Sequence, residues 1–303
     1  MAKKQKVSLV LSSGGARGLA HVGVIEELEE RGYQIGQIAG CSAGALVGGM
    51  YAAGKLVEFK NWICHLDRID VFSLMDFTFS SRGFIKGEKV YSALKKVVPD
   101  CQIEDLSIPF SCNAVDVLSG EEFVFDKGSL YQAIRASGSI PSVFLPAHFG
   151  EKTLVDGGVL NPIPISLIQH QPDDLLVVVD VNGLDSEFIA PPKKDAKGNR
   201  FMKSLPAWMI DYKNKMSQYF PDEKPVEKDI SYSTLNLVKR SFDLLQDRFC
   251  ELLLEKYPVD VQIKVARKQA GTLEFYRAAE MIEIGRIKAR KALDKLENGN
   301  HWT

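Results

Sequence analysis

The pentapeptide Gly40-Cys41-Ser42-Ala43-Gly44 constrains this chain more than any other feature. Its Gly-x-Ser-x-Gly pattern fits a serine held on a sharp turn from a strand into a helix. Residues 35–39 before it are short and apolar, as a buried strand is. Residues 43–53 after it are mostly small and include Gly48 and Gly49. Such a helix can pack closely beneath a sheet. A strand feeding a helix through so tight a turn belongs to an α/β fold.

The rest of the chain repeats that alternation. Residues 7–11 read as a buried strand, and 19–31 as a helix with Val22, Val24, Ile25 and Leu28 on its apolar positions, closed by Gly32. Helices are expected at 56–66, 87–98, 130–137, 163–170, 236–257 and 272–296. Strands are expected at 109–117 and 122–125, paired around Ser119-Gly120, and at 153–155, 174–181 and 259–265. The run at 174–181 is the clearest buried strand. The expectation is a three-layer α/β fold, with a mainly parallel central sheet and helices on both faces. The pattern breaks at 188–229, where Pro191-Pro192, several lysines and scattered Phe201, Trp208 and Phe220 suggest an insertion or lid-like segment.

Composition narrows the functional classes. The chain has 303 residues and a formal net charge of -1, so no global basic field points to nucleic acid. The five cysteines are Cys41, Cys64, Cys101, Cys112 and Cys250. Their number is odd and their spacing suits no metal, which reads as core thiols in a reducing compartment. The apolar run at 7–11 is too short for a signal peptide, and no apolar run approaches the roughly 18 residues of a spanning helix. A cytoplasmic protein is expected, with room for peripheral contact at the inner membrane surface.

Three motifs carry chemistry. A serine hydroxyl is a weak nucleophile and needs a base, and Gly40 and Gly44 permit the turn that exposes Ser42 at a helix N-terminus. Upstream, Ser13-Gly14-Gly15-Ala16-Arg17-Gly18 lies between the first strand and the first helix. Its backbone N–H groups can face a cofactor pyrophosphate or the oxyanion of a tetrahedral intermediate. Serine at 13 breaks the dinucleotide spacing, no Lys-Ser/Thr pair follows, and the second strand ends in Gly40-Cys41-Ser42 where an acidic residue would be wanted. The oxyanion reading gains. Arg17 reads as a brace for this loop or a contact to a substrate phosphate, and His21 as helix packing.

The base is the open question. Of His21, His65, His148, His170 and His301, only His148 and His170 follow the serine in the usual range, and neither sits in a distinctive loop. Asp156, followed by Gly157 and Gly158, does. A carboxylate on such a turn could take the serine proton directly, with a basicity set by burial and hydrogen bonding. Spacing alone does not bring it to Ser42.

Together, Gly14-Gly15-Ala16-Arg17-Gly18, Gly40-Cys41-Ser42-Ala43-Gly44 and Asp156-Gly157-Gly158 resemble the patatin-like phospholipase family, particularly its compact bacterial members. Ala136-Ser137, Ile140-Pro141, Phe144-Leu145-Pro146 and Asn161-Pro162 add to the resemblance. It covers residues 6–182, with a closing strand and helix at 259–292. Ser13 departs from it, because the family often has glycine there. The resemblance implies one patatin-like domain over 1–303 and a Ser–Asp dyad. Ser42 would be the nucleophile and Asp156 the general base and acid. Gly14 and Gly15 would form the oxyanion hole, with Arg17, Gly18, Gly40, Gly44, Gly157 and Gly158 in support. It implies no cofactor and no metal. The substrate would be a phospholipid or lysophospholipid ester. A carboxylesterase or thioesterase on non-lipid acyl substrates, or a silent regulatory protein of the same fold, are the alternatives. The lysines at 193, 194, 197 and 203, with Arg200 among the apolar residues of 188–220, would suit an anionic lipid surface or a plain solvated insertion.

Overall fold

The computed structural model describes residues 5–80, 83–169, 171–183, 187–189 and 234–299. The chain forms two compact units, Met1–Phe188 with Arg240–Thr303, and Ile189–Lys239. Apart from Phe188 and Ile189, the expected insertion at 188–229 lies outside the described residues, as does His170.

The larger unit is built on a mixed sheet whose strands are mostly parallel. Five strands run parallel: β10 (Val261–Ala266), β9 (Leu175–Gly183), β1 (Lys6–Leu11), β2 (Gln34–Cys41) and β5 (Phe110–Asp116), side by side in that order. Three antiparallel strands complete it. β6 (Glu121–Phe125) folds back on β5, β8 (Lys152–Asp156) also pairs with β5, and β7 (Ala147–Phe149) pairs with β8. A separate two-stranded ribbon joins β3 (Phe77–Ser80) and β4 (Gly83–Ile85).

Side chains alternate across this sheet, so both faces must be covered. On one face, Leu11 and Ile38 meet α2 (Ala43–Ala52) at Gly48. The helices α1 (Ala20–Glu30) and α8 (Ala278–Glu297) pack against each other where Gly23 faces Ile282 and Gly285 faces Ala20. On the other face, Val10, Leu176 and Val178 pack with Ile163, Ile165 and Cys250. Cys250 belongs to α7 (Thr234–Lys256), and Leu253 and Leu254 extend that contact. Helices α3 (Leu56–His65), α4 (Arg68–Leu74), α5 (Glu88–Val97) and α6 (Leu130–Ser137) complete the described unit.

Three readings change. The helix expected at 163–170 is not seen over 163–169: there, only Ile165–Leu167 makes a short 3-10 turn, after Pro164. Proline lacks the N–H a helix needs and restrains the residue before it. The closing helix starts at Ala278, because Phe275–Arg277 is a 3-10 turn pinned by Glu274. The cysteines are not all core thiols: Cys41, Cys112 and Cys250 are buried, whereas Cys64 is exposed and Cys101 half-exposed. Helix α4 is an addition, started by a capping box in which Asp67 and Asp70 bond each other's backbone N–H.

Candidate active site

The site lies at the C-terminal ends of the parallel strands, and β5 builds it. Asn113 of β5 pairs with Cys41, the last residue of β2. Ala114, the next residue, pairs with Asp156, the last residue of β8. β6 occupies the other edge of β5. Two strands running in opposite directions therefore end beside each other on one template strand. This brings Ser42 to Asp156 across more than a hundred residues of sequence.

Ser42 stands between β2 and α2 at φ 54° and ψ -114°. A non-glycine residue at such a φ is strained by about 1–3 kcal/mol, so its surroundings must hold it. Its N–H donates to Ser137 Oγ at 2.8 Å, and its carbonyl accepts from Leu46 N–H at 3.0 Å. The turn is closed by absent side chains. A Cβ on Gly44 would lie 2.1 Å from the Leu11 carbonyl oxygen, and one on Gly40 would lie 2.5 Å from the Gly44 carbonyl oxygen.

Asp156 is 4% exposed. Its N–H donates to the Ser139 carbonyl at 2.9 Å. Its Oδ1 accepts from Gly158 N–H at 2.8 Å and faces the Cys41 thiol at 3.8 Å. Burial raises its pKa from an ordinary 3.8 to about 6, against hydrogen bonds from the Ser42 side chain, Gly158 N–H and the Cys41 thiol that lower it. Burial, then the neighbouring carboxylate, pushes the Cys41 thiol well above its usual range, so it stays a protonated donor. The arrangement is a hydroxyl in contact with a buried carboxylate whose pKa is raised to about 6.

The glycine loop runs from β1 into a 3-10 turn at Gly15–Leu19. Ser13 N–H donates to the Pro162 carbonyl and Ala16 N–H to the Thr272 carbonyl, both at 2.9 Å. Between them, Gly14 caps the turn and Gly15 begins it, and N–H groups at the start of such a turn have no acceptor within it. Gly18 meets the Ala43 side chain, which sets the loop against the Ser42 elbow. Arg17 is buried and braces the loop. Its guanidinium donates to the Val181 carbonyl at 3.1 Å, the Ala270 carbonyl at 2.9 Å and Asn182 Oδ1 at 2.9 Å.

The described histidines stand elsewhere. His21 is buried with Nε2 at 3.0 Å from the Ser12 carbonyl, and burial lowers its pKa to about 4 despite that bond. It is a neutral brace for the glycine loop. His65 and His148 are exposed, on α3 and β7. Among the described residues, no group of three or more His, Cys, Asp or Glu is placed to hold a metal ion.

Sequence reasoning missed several supports. Ser137 Oγ holds the elbow, and the resemblance included Ala136-Ser137 without giving Ser137 a role. Asn113 Nδ2 donates to the Asn161 carbonyl at 3.0 Å and to Glu122 Oε1 at 2.8 Å, anchoring the chain after Asp156. Gln246 of α7 donates to the Gly158 carbonyl at 2.9 Å. No sequence signal marked it.

Comparison with known proteins shows the family. Residues 9–168 match the family described as patatin-like phospholipase. The chain belongs to the patatin-like phospholipase family. An NTE family protein of Mycobacterium tuberculosis is 35% identical over 337 residues, spanning 96% of this chain and 92% of that protein. The lysophospholipase NTE1 of Kluyveromyces lactis is 27% identical over 307 residues. That match spans 98% of this chain but only 20% of the much longer fungal protein. Among solved structures, VipD from Legionella pneumophila aligns with 96% of this chain and 67% of its own at 14% identity, with a TM-score of 0.46. As a patatin-like phospholipase family member, the chain is grouped with lipid and acyl-ester hydrolases. No described helix is long and apolar enough to cross a membrane.

Proposed function

We propose that this protein is a serine acyl hydrolase that cleaves carboxylic ester bonds of phospholipids or lysophospholipids through a Ser42–Asp156 dyad. The observation that carries this reading is the pairing of Cys41 and Asp156 to successive residues of β5. In the first step Ser42 Oγ attacks the ester carbonyl while Asp156 takes its proton. The oxyanion forms against the N–H groups of Gly14 and Gly15, fixed donors that need not reorganise. Asp156 then protonates the leaving alcohol. Water attacks the acyl-Ser42 ester, giving its proton to Asp156, and the fatty acid leaves as the proton returns to Ser42.

The near full-length match to a bacterial relative supports the compact bacterial type. The fungal relative is a lysophospholipase, which supports a lysophospholipid or phospholipid substrate. The test is product analysis after incubation with long-chain phospholipids, lysophospholipids and short soluble esters, with Ser42→Ala as control. The expected result is fatty acid released from the long-chain lipids by the wild type. Ser42→Ala should lose at least about a thousandfold in kcat while keeping its unfolding midpoint. Turnover of the short esters alone would overturn the lipid assignment. Activity surviving in Ser42→Ala would overturn the dyad.

A further inference from the structure

Ser13 belongs to the glycine loop yet does something no glycine could. Its side chain is buried, at 4% exposed, and its Oγ has no hydrogen-bond partner among the described residues. Leaving a buried hydroxyl unpaired is unfavourable, so such a group ordinarily has a partner. The neighbouring Ser12 shows the contrast: its Oγ donates to the Ser13 carbonyl and accepts from Val181 N–H.

The surroundings of Ser13 Oγ are specific. A Cβ on Gly158 would lie 3.1 Å from Ser13 Oγ, 3.0 Å from Asp156 Oδ1 and 2.8 Å from Gln246 Nε2. The hydroxyl and the carboxylate oxygen thus both border the space that a Gly158 side chain would fill. They make no direct hydrogen bond. Two polar atoms so placed, near each other but out of bonding contact, suit one bridging water. Gly158 leaves room there that any side chain would take.

We infer that Ser13 positions the water that hydrolyses the acyl-Ser42 intermediate. This rests on the Ser42–Asp156 reading above. One O–H of that water points to the Asp156 carboxylate, which takes its proton. The other is accepted by Ser13 Oγ, and the oxygen lone pair is left facing the acyl carbon. The new C–O bond forms first, giving a tetrahedral oxyanion at the glycine loop; its collapse breaks the bond to Ser42 Oγ, which takes the proton from Asp156. Ser13 directly precedes Gly14 and Gly15, so the water is held between the base and the loop facing the oxyanion. By microscopic reversibility, the leaving alcohol of the first step occupies the same place.

The experiment uses a p-nitrophenyl ester, whose leaving group needs no hydrogen bond to depart. Acylation then depends little on Ser13, whereas deacylation does. In Ser13→Ala, the p-nitrophenolate burst should match the enzyme concentration, and steady-state turnover should fall about tenfold, the worth of one hydrogen bond. Acyl-Ser42 should accumulate in the intact-protein mass. Hydroxylamine, a stronger nucleophile that needs less orientation, should raise turnover far more in the variant than in the wild type. Ser13→Gly, which removes the hydroxyl with less bulk, should give the same result should the alanine variant fold poorly. Equal loss of burst and steady state, or unchanged turnover, would overturn the role of Ser13. Absence of any acyl-Ser42 in the wild type and in both variants would overturn the dyad itself.

Discussion

Asp156 is pulled two ways, and the balance governs both rate and stability. Burial favours its neutral form, while three donors favour the carboxylate. As the proposed base it must be ionised, so kcat/KM should fall about tenfold per pH unit below about 6 and level off above it. Removing a donor raises its pKa further. Cys41→Ala should therefore move that acid limb to higher pH in a pH–rate profile, and an unmoved limb would show that the thiol only fills space. Stability runs the other way. The folded pKa lies above the ordinary 3.8, so the folded state holds more protons between 3.8 and about 6. Wild-type stability from this group falls as pH rises through that window and stays low above it. Asp156→Asn, neutral at every pH, should unfold at higher urea than the wild type at pH 8, by up to about 3 kcal/mol, with little gain at pH 4. The same variant should lose turnover. The roles proposed for Ser42 and Asp156 were legible through the resemblance that Gly40-Cys41-Ser42-Ala43-Gly44 and Asp156-Gly157-Gly158 carry. Their supports were not: Ser137, Asn113 and Gln246 act through contacts that no local pattern announces.

At the scale of elements, periodicity and punctuation located most strands and helices. Residues 163–170 show where it fails. Apolar spacing alone resembles a helix, but Pro162 and Pro164 remove donors at its start, and Ile163 and Ile165 are buried as an irregular strip against Val10 and Val178. Helix α4 shows the converse: it is only seven residues long, and a capping box starts it with Val71 as its one buried residue. The tightest element contact is between α1 and α8. A Cβ on Gly285 would lie 1.9 Å from the Ala20 carbonyl oxygen, and one on Gly23 would lie 1.8 Å from that of Ile282. Arg286 pairs with Glu26 and Glu30 across the same contact, and Arg290 with Glu27. Gly285→Ala should push the helices apart and cost about 1–3 kcal/mol in urea unfolding. Its effect on the acid limb should be nil, since neither helix supplies a donor to Asp156.

Over the whole molecule, Arg17 joins parts that lie far apart in sequence. It binds the glycine loop to the end of β9 and to Ala270 beyond β10. Its planar fork serves acceptors that lie in different directions, which a lysine cannot reach together. Arg17→Lys should cost about 1.5–3 kcal/mol of stability in denaturant unfolding. It should lower kcat by loosening the loop that carries Gly14 and Gly15, with the acid limb left near 6 because Asp156 keeps its donors. By itself the sequence determined the α/β class, most of the elements and the three motifs, since alternating apolar runs, glycines and turn residues act within a few positions of themselves. Only the tertiary structure decided that Asp156 meets Ser42. That meeting depends on β8 running antiparallel against the far half of β5, so that its last residue ends next to β2. Strand direction and register are set by packing across the whole sheet, and no local stretch of residues encodes them alone.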